Sequence, residues 1–167
     1  MTTKLQLISS DTNIWLDFEA VGHLELPFML GITYLMSRIA ITEELIEPGD
    51  IANRLYSYGL QAVDLNAEEY DLVSRFRLQY PRLSKHDAAS LAIAKTRSIP
   101  LITGDKPLRN AARQEGVPCI GTLWVLDRLF EKACISECLY KSILQAFLNH
   151  DVRRLPKQAI WERLMKF

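Results

Sequence analysis

The chain has 167 residues, 49% of them hydrophobic, and its twenty basic and twenty acidic residues give a formal net charge of zero. That length suits one domain with a sizeable core. The balanced charge excludes a global field drawing the protein to nucleic acid or membrane, so any polyanion must be met by a local patch. There is no charged leader followed by an apolar run, and no apolar stretch of membrane-spanning length, which predicts a soluble, cytoplasmic protein without a membrane partner. Cys119, Cys134 and Cys138 form no CxxC pair. They are expected as reduced thiols rather than a disulfide framework or zinc knuckle.

In chain order, residues 5–10 read as a first strand that runs into Asp11, Thr12 and Asn13, with Asp11 and Thr12 able to cap the helix that follows. Ile14, Trp15 and Phe18 give that helix an apolar face, and Gly22 ends it. Residues 24–30 predict a short second helix stopped by Gly31, and the β-branched and aromatic residues 32–36 a second strand. Ser37 caps a helix to about residue 46. Beyond the break at residues 48–50 a helix over 51–58 closes at Gly59. Residues 60–65 alternate as a third strand, and Asn66 with Glu69 forms a capping-box pattern opening a helix over 67–80. Ser84 opens an Ala- and Leu-rich helix over 86–97. A fourth strand at 101–103, a helix at 106–115 and a short fifth strand at 118–120 follow, then three closing helices at 122–132, 136–149 and 156–165. Alternation of strands and helices predicts an α/β fold with a mostly parallel five-stranded sheet covered by helices on both faces. Trp15, Trp124 and Trp161 lie among apolar helix residues and are expected in the core.

The acids carry the chemistry. Asp11 and Asp105 follow apolar runs at strand ends, where ligands bind in open parallel sheets. Asp87 opens an otherwise apolar helix, and Glu43 and Glu44 close the helix after the second strand. Taken singly, each has a structural explanation as a turn, cap or solvated residue; Ser84 to Asp87 has capping-box spacing. Together, carboxylates near one sheet end repel unless a cation or proton neutralises them, and hard divalent cations suit such donors. The histidines, His23, His86 and His150, form no zinc or Ser-His-Asp pattern, and there is no GxxxxGK or GxGxxG loop. His86, on a first helical turn, is expected as polar surface.

The succession Ser10-Asp11-Thr12-Asn13, Glu44-Leu45, Lys85-His86-Asp87-Ala88-Ala89 and Ile102-Thr103-Gly104-Asp105 resembles the PIN-domain ribonucleases, a group that includes toxins of VapBC-type toxin–antitoxin pairs. The likeness extends over about residues 5–125, including Gly121-Thr122-Leu123. It implies a three-layer α/β/α domain over residues 1–125, with residues 126–167 a helical extension packed on the same domain. It also implies Mg²⁺ or Mn²⁺ held by Asp11, Glu44, Asp87 and Asp105, with Glu43 or, more weakly, Glu47 as alternatives at the glutamate position. The implied activity is metal-dependent hydrolysis of RNA; the runner-up is a PIN-fold protein with a degraded site that acts by binding. Lys106-Pro107 stands where many relatives carry a further acid, which favours one metal over two. Lys85, Lys106 and Arg109 are the nearest candidates for substrate phosphates, with Arg113 further along. Thr103 and Ser10 are placed to orient the carboxylates or to satisfy strand ends. The apolar faces at 136–149 and 156–165, including Leu139, Ile143, Leu144, Phe147, Ile160, Trp161 and Leu164, suit an antitoxin protein, a homodimer or a helical cap on the core.

Overall fold

The computed structural model describes residues 6–45, 50–150 and 155–167; Leu5, Ile46, Glu47 and the break at 48 and 49 lie outside them. Strand β1 (Gln6–Ser10) is central, between β2 (Ile32–Ser37) and β4 (Leu101–Ile102). With β3 (Gln61–Val63) beyond β2 and β5 (Cys119–Ile120) beyond β4, the order is β3-β2-β1-β4-β5 and every pairing is parallel. The chain therefore builds outward from β1 in one direction and then returns to its other side, which makes the β1/β4 seam the topological switch point. Ser10 pairs with Ile102, so Asp11 and the loop from Thr103 to Asp105 leave the sheet side by side.

Helices α1 (Thr12–Ala20), α2 (Arg38–Glu44), α3 (Ile51–Tyr58), α4 (Ala67–Gln79), α5 (Lys85–Thr96), α6 (Lys106–Gln114), α7 (Thr122–Glu131), α8 (Glu137–Asn149) and α9 (Lys157–Leu164) complete the described residues with a 3-10 turn, Leu26–Leu30. The turn stands where the sequence predicts a helix; Gly31, at φ 70°, ends the segment after five residues. Helix α2 stops at Glu44, short of the predicted 46, and β3 keeps only three of the six predicted residues.

Two apolar clusters cover the sheet, one on each face, as alternating strand residues require. Ile8 and Ile102 face the larger, shared with α1, α2, α3, α7, α8 and α9; Leu101 faces the smaller, shared with α4, α5 and α6. In the larger one Trp15 stacks on Phe28 at 5.2 Å and meets the edge of Tyr34 at 5.1 Å. Phe147 of α8 packs edge-on against Phe18 at 6.2 Å, so the closing helices are part of this core. Ile143, Leu144, Phe147 and Ile160 are buried there, which assigns most of the apolar α8 and α9 faces to the protein's own interior. Trp161 departs from expectation: it is 52% exposed, on the outer side of α9, whereas Trp15 is fully buried and Trp124 half-buried.

Helix α5 is buried from Ala88 through Ala94. Its small residues let it lie against β1, where the Ser9 hydroxyl donates to the Ser90 carbonyl at 2.8 Å. Docked this way, α5 brings the acid of its first turn, Asp87, to the carboxyl edge of the sheet, close enough for its charge to act on Asp11. No helix among the described residues is long and apolar enough to cross a membrane.

Candidate metal centre

Asp11 is the buried member of the acid group. Its Oδ1 accepts the Thr12 amide at 2.7 Å, capping α1, while Oδ2 accepts the Thr103 hydroxyl at 2.8 Å and the Asn13 amide group at 3.2 Å. Thr103 in turn accepts the Asp105 amide at 3.0 Å, so one hydroxyl ties the two strand-end acids together. Asp105 Oδ2 caps α6 by accepting the Leu108 amide at 3.0 Å. Asp87 completes a reciprocal capping box with Ser84. The structural and chemical explanations of these acids thus coincide: all three sit at helix N-termini, whose positive ends favour carboxylates, and all three helices start at the same sheet edge.

The charges feel one another. Burial, followed by the charges of Asp87 and Glu44, pushes the Asp11 carboxyl up to about 7 against the lowering effect of the Thr103 and Thr12 hydrogen bonds. Asp87 is raised as well, first by burial and then by Asp105 and Glu44. The Glu44 charge reaches both aspartates. Glu43 points instead to α5, where it meets His86 Nε2 at 2.7 Å and Lys85 Nζ at 3.3 Å. Its pKa is lowered, first by the Lys85 hydrogen bond. Glu47 lies outside the described residues.

His86 corrects the expectation of polar surface. Its side chain is only 13% exposed, and it bridges α5 to α2 through Glu43, with Glu44 at 3.6 Å. Of the two readings open for Ser10, the structure shows a hydrogen bond that satisfies the strand end: its hydroxyl accepts the Trp15 indole N–H at 3.2 Å. Of the basic candidates, Lys85 is paired with Glu43, Lys106 is exposed at the start of α6, and Arg109 donates to the Thr103 carbonyl at 3.1 Å. Sequence reading missed the His86–Glu43 link and the buried Thr122 hydroxyl donating to Asp17 at 2.8 Å, for each joins residues far apart in the chain with no local pattern.

An all-oxygen, net negative donor set suits Mg²⁺ or Mn²⁺. Asp11 is raised first by burial and then by Asp87 and Glu44, and the buried Thr12 hydroxyl beside it has no hydrogen-bond partner among the described residues. In the conformation described, no three His, Cys, Asp or Glu residues among the described ones converge closely enough to enclose one ion. The donors fit the group in chemistry and charge.

A family model described as DUF3368, a PIN domain, matches residues 7–167. No curated protein and no solved structure matches the chain.

Proposed function

Since the chain belongs to the PIN-domain family, whose fold is of the nuclease type, we propose that it is a metal-dependent endoribonuclease acting on RNA phosphodiester bonds at Asp11, Glu44, Asp87 and Asp105. The observation that supports this most directly is the gathering of Asp11, Asp105, Asp87 and Glu44 at the β1/β4 end of the sheet, where Asp11 is raised to about 7 first by burial and then by the charges of Asp87 and Glu44, and Asp87 feels Asp105 and Glu44. Asp11 and Asp105, with Asp87 and Glu44 opposite, would hold one Mg²⁺ or Mn²⁺. When bound, such an ion supplies Lewis acidity toward a phosphate oxygen and lowers the pKa of a coordinated water.

The chain's own residues prepare the site. Thr103 orients Asp11 by donating to Oδ2 and fixes the Asp105 backbone by accepting its amide. The Arg109 guanidinium holds the Thr103 carbonyl and so keeps the loop between the two acids in place. The exposed Lys106 ammonium, beside Asp105, is a phosphate guide on the surface. Pro107, where another acid would strengthen a second ion, supports one metal rather than two. The narrower reading, the toxin of a type II toxin–antitoxin pair, rests on the motif likeness and predicts that expression arrests growth while Asp105→Asn does not.

The test is cleavage of single-stranded RNA by the purified chain in Mg²⁺ or Mn²⁺. Cleavage should stop in EDTA and fall at least about a hundredfold in Asp105→Asn, the scale of losing an interaction used in the transition state. Undiminished cleavage in EDTA or by Asp105→Asn would overturn the mechanism. The spread of the carboxylates favours one second reading, a PIN-fold protein that binds without cutting; RNA bound but intact in Mn²⁺ would establish it.

A further inference from the structure

Two clefts of about 250 and 420 Å³ share Arg109, Gly121 and Trp124 and together form a track at the β5 edge of the sheet. One end reaches Gly104, the residue before Asp105; the other reaches Arg113 and Val117. Arg109 and Arg113 lie four positions apart on α6 and so project from one side of it. Among the described residues no Asp or Glu lines either cleft and Arg113 makes no ion pair. The half-buried Trp124 forms a wall common to both, and the Arg128 guanidinium lies 5.4 Å from its ring centre. At Gly121 an added Cβ would stand 3.0 Å from Arg109 Nη2, so the lack of a side chain there is what lets the guanidinium lie against the strand end. The half-buried Cys119 thiol, raised first by burial, also feels Arg109, Asp11 and Arg113, which puts the track within electrostatic reach of the acid site.

Resting on the nuclease reading above, we propose that this track holds one nucleotide of a single-stranded RNA next to the scissile phosphate, its phosphate on Arg109 and Arg113 and its base against Trp124. Uncompensated arginines beside an aromatic wall are what a backbone phosphate and its base require. The orientation follows: the strand crosses the acids at the β1/β4 seam and leaves along the β5 edge rather than over β3.

Binding is read by fluorescence anisotropy of a labelled twelve-nucleotide single-stranded RNA on the full chain in EDTA, with cleavage in Mn²⁺ assayed in parallel. Arg113→Gln should weaken binding about fivefold and lower the slope of log K against log salt by about 0.7, the value for one lost phosphate contact on a single strand. Trp124→Leu should weaken it at least about fivefold, the lower end of base stacking on an aromatic ring. Arg77→Gln, on α4 outside the track, should stay within about twofold of wild type, the scale of removing one screened surface charge. If Trp124→Leu fails to fold, as read by circular dichroism, the exposed Arg113→Gln and the milder Trp124→Phe still decide. Metal-dependent cleavage with unchanged binding by the Arg113 and Trp124 variants would overturn the track and leave the nuclease reading standing. Binding that depends on both residues without cleavage would support the track and overturn the nuclease reading. A wild-type chain that neither binds nor cuts the RNA, or binding displaced equally by polyglutamate, would overturn the nucleotide assignment.

Discussion

The Thr103 hydroxyl does two jobs that no other group in the site can take over. It donates to Asp11 Oδ2 and accepts the Asp105 amide, so it lowers the Asp11 pKa and braces the loop at once. Thr103→Val keeps the shape and removes both interactions, leaving a buried carboxyl and an amide without their partner. The expected loss is about 1–3 kcal/mol in urea denaturation, the cost of unmade buried hydrogen bonds, with the rising limb of any pH–rate profile moved to higher pH. Thr103→Ser should restore most of both. Stability equal to wild type in the valine variant would show that the hydroxyl is dispensable. Asp11, Thr103 and Asp105 were legible in the sequence because an apolar run ending in polar residues is a local signal of a strand end. The partner of His86 was not, since Glu43 lies 43 positions away on another helix and only the docking of α5 against α2 creates the pair.

At the scale of elements, one residue type both caps helices and gathers charge at one sheet edge. Asp11, Asp87 and Asp105 belong to the first turn or cap of α1, α5 and α6, and those caps hold the acids at the sheet edge. The two roles of Asp87 can be separated, because its capping box has a second member. Ser84→Ala removes the side chain that accepts the Asp87 amide and should cost about 1 kcal/mol, seen as a lower melting temperature, while cleavage stays within a few-fold of wild type. Asp87→Asn keeps much of the cap, removes the charge and should abolish cleavage. Equal loss of cleavage in both would mean that Asp87 acts only by anchoring α5. Both capping boxes were readable beforehand, at Asn66 with Glu69 and at Ser84 with Asp87, because a box is written within four consecutive residues. The 3-10 turn and the shortened β3 were not, since tertiary packing decides whether a short apolar run becomes strand, helix or turn.

For the whole molecule, a formal charge of zero conceals a local imbalance, with acids gathered at the β1/β4 seam and arginines along the β5 edge. Overall composition reports only the sum, so the sequence revealed the acids through their motifs and offered Arg109 and Arg113 as phosphate candidates by proximity alone, while their union with Trp124 in one track appeared only once α6, α7 and β5 were assembled. The imbalance has a thermodynamic sign. Asp11 is raised from 3.8 to about 7 on folding, first by burial and then by Asp87 and Glu44, so between those values the native state binds more protons than the unfolded chain. Its contribution to stability therefore falls as pH rises from about 4 to about 7 and levels off above. Asp11→Asn should flatten that part of the profile. A divalent cation competes with the proton for the same carboxylate, so millimolar Mn²⁺ should raise the melting temperature clearly at pH 8, where Asp11 is ionised and repelled by its neighbours, and little at pH 5, where it is protonated. Differential scanning fluorimetry at the two pH values, with wild type and Asp11→Asn, separates this from general salt effects, which would move both proteins alike. An Mn²⁺ shift that is the same at pH 5 and pH 8, or undiminished in Asp11→Asn, would mean that the acids at the seam are not a cation site.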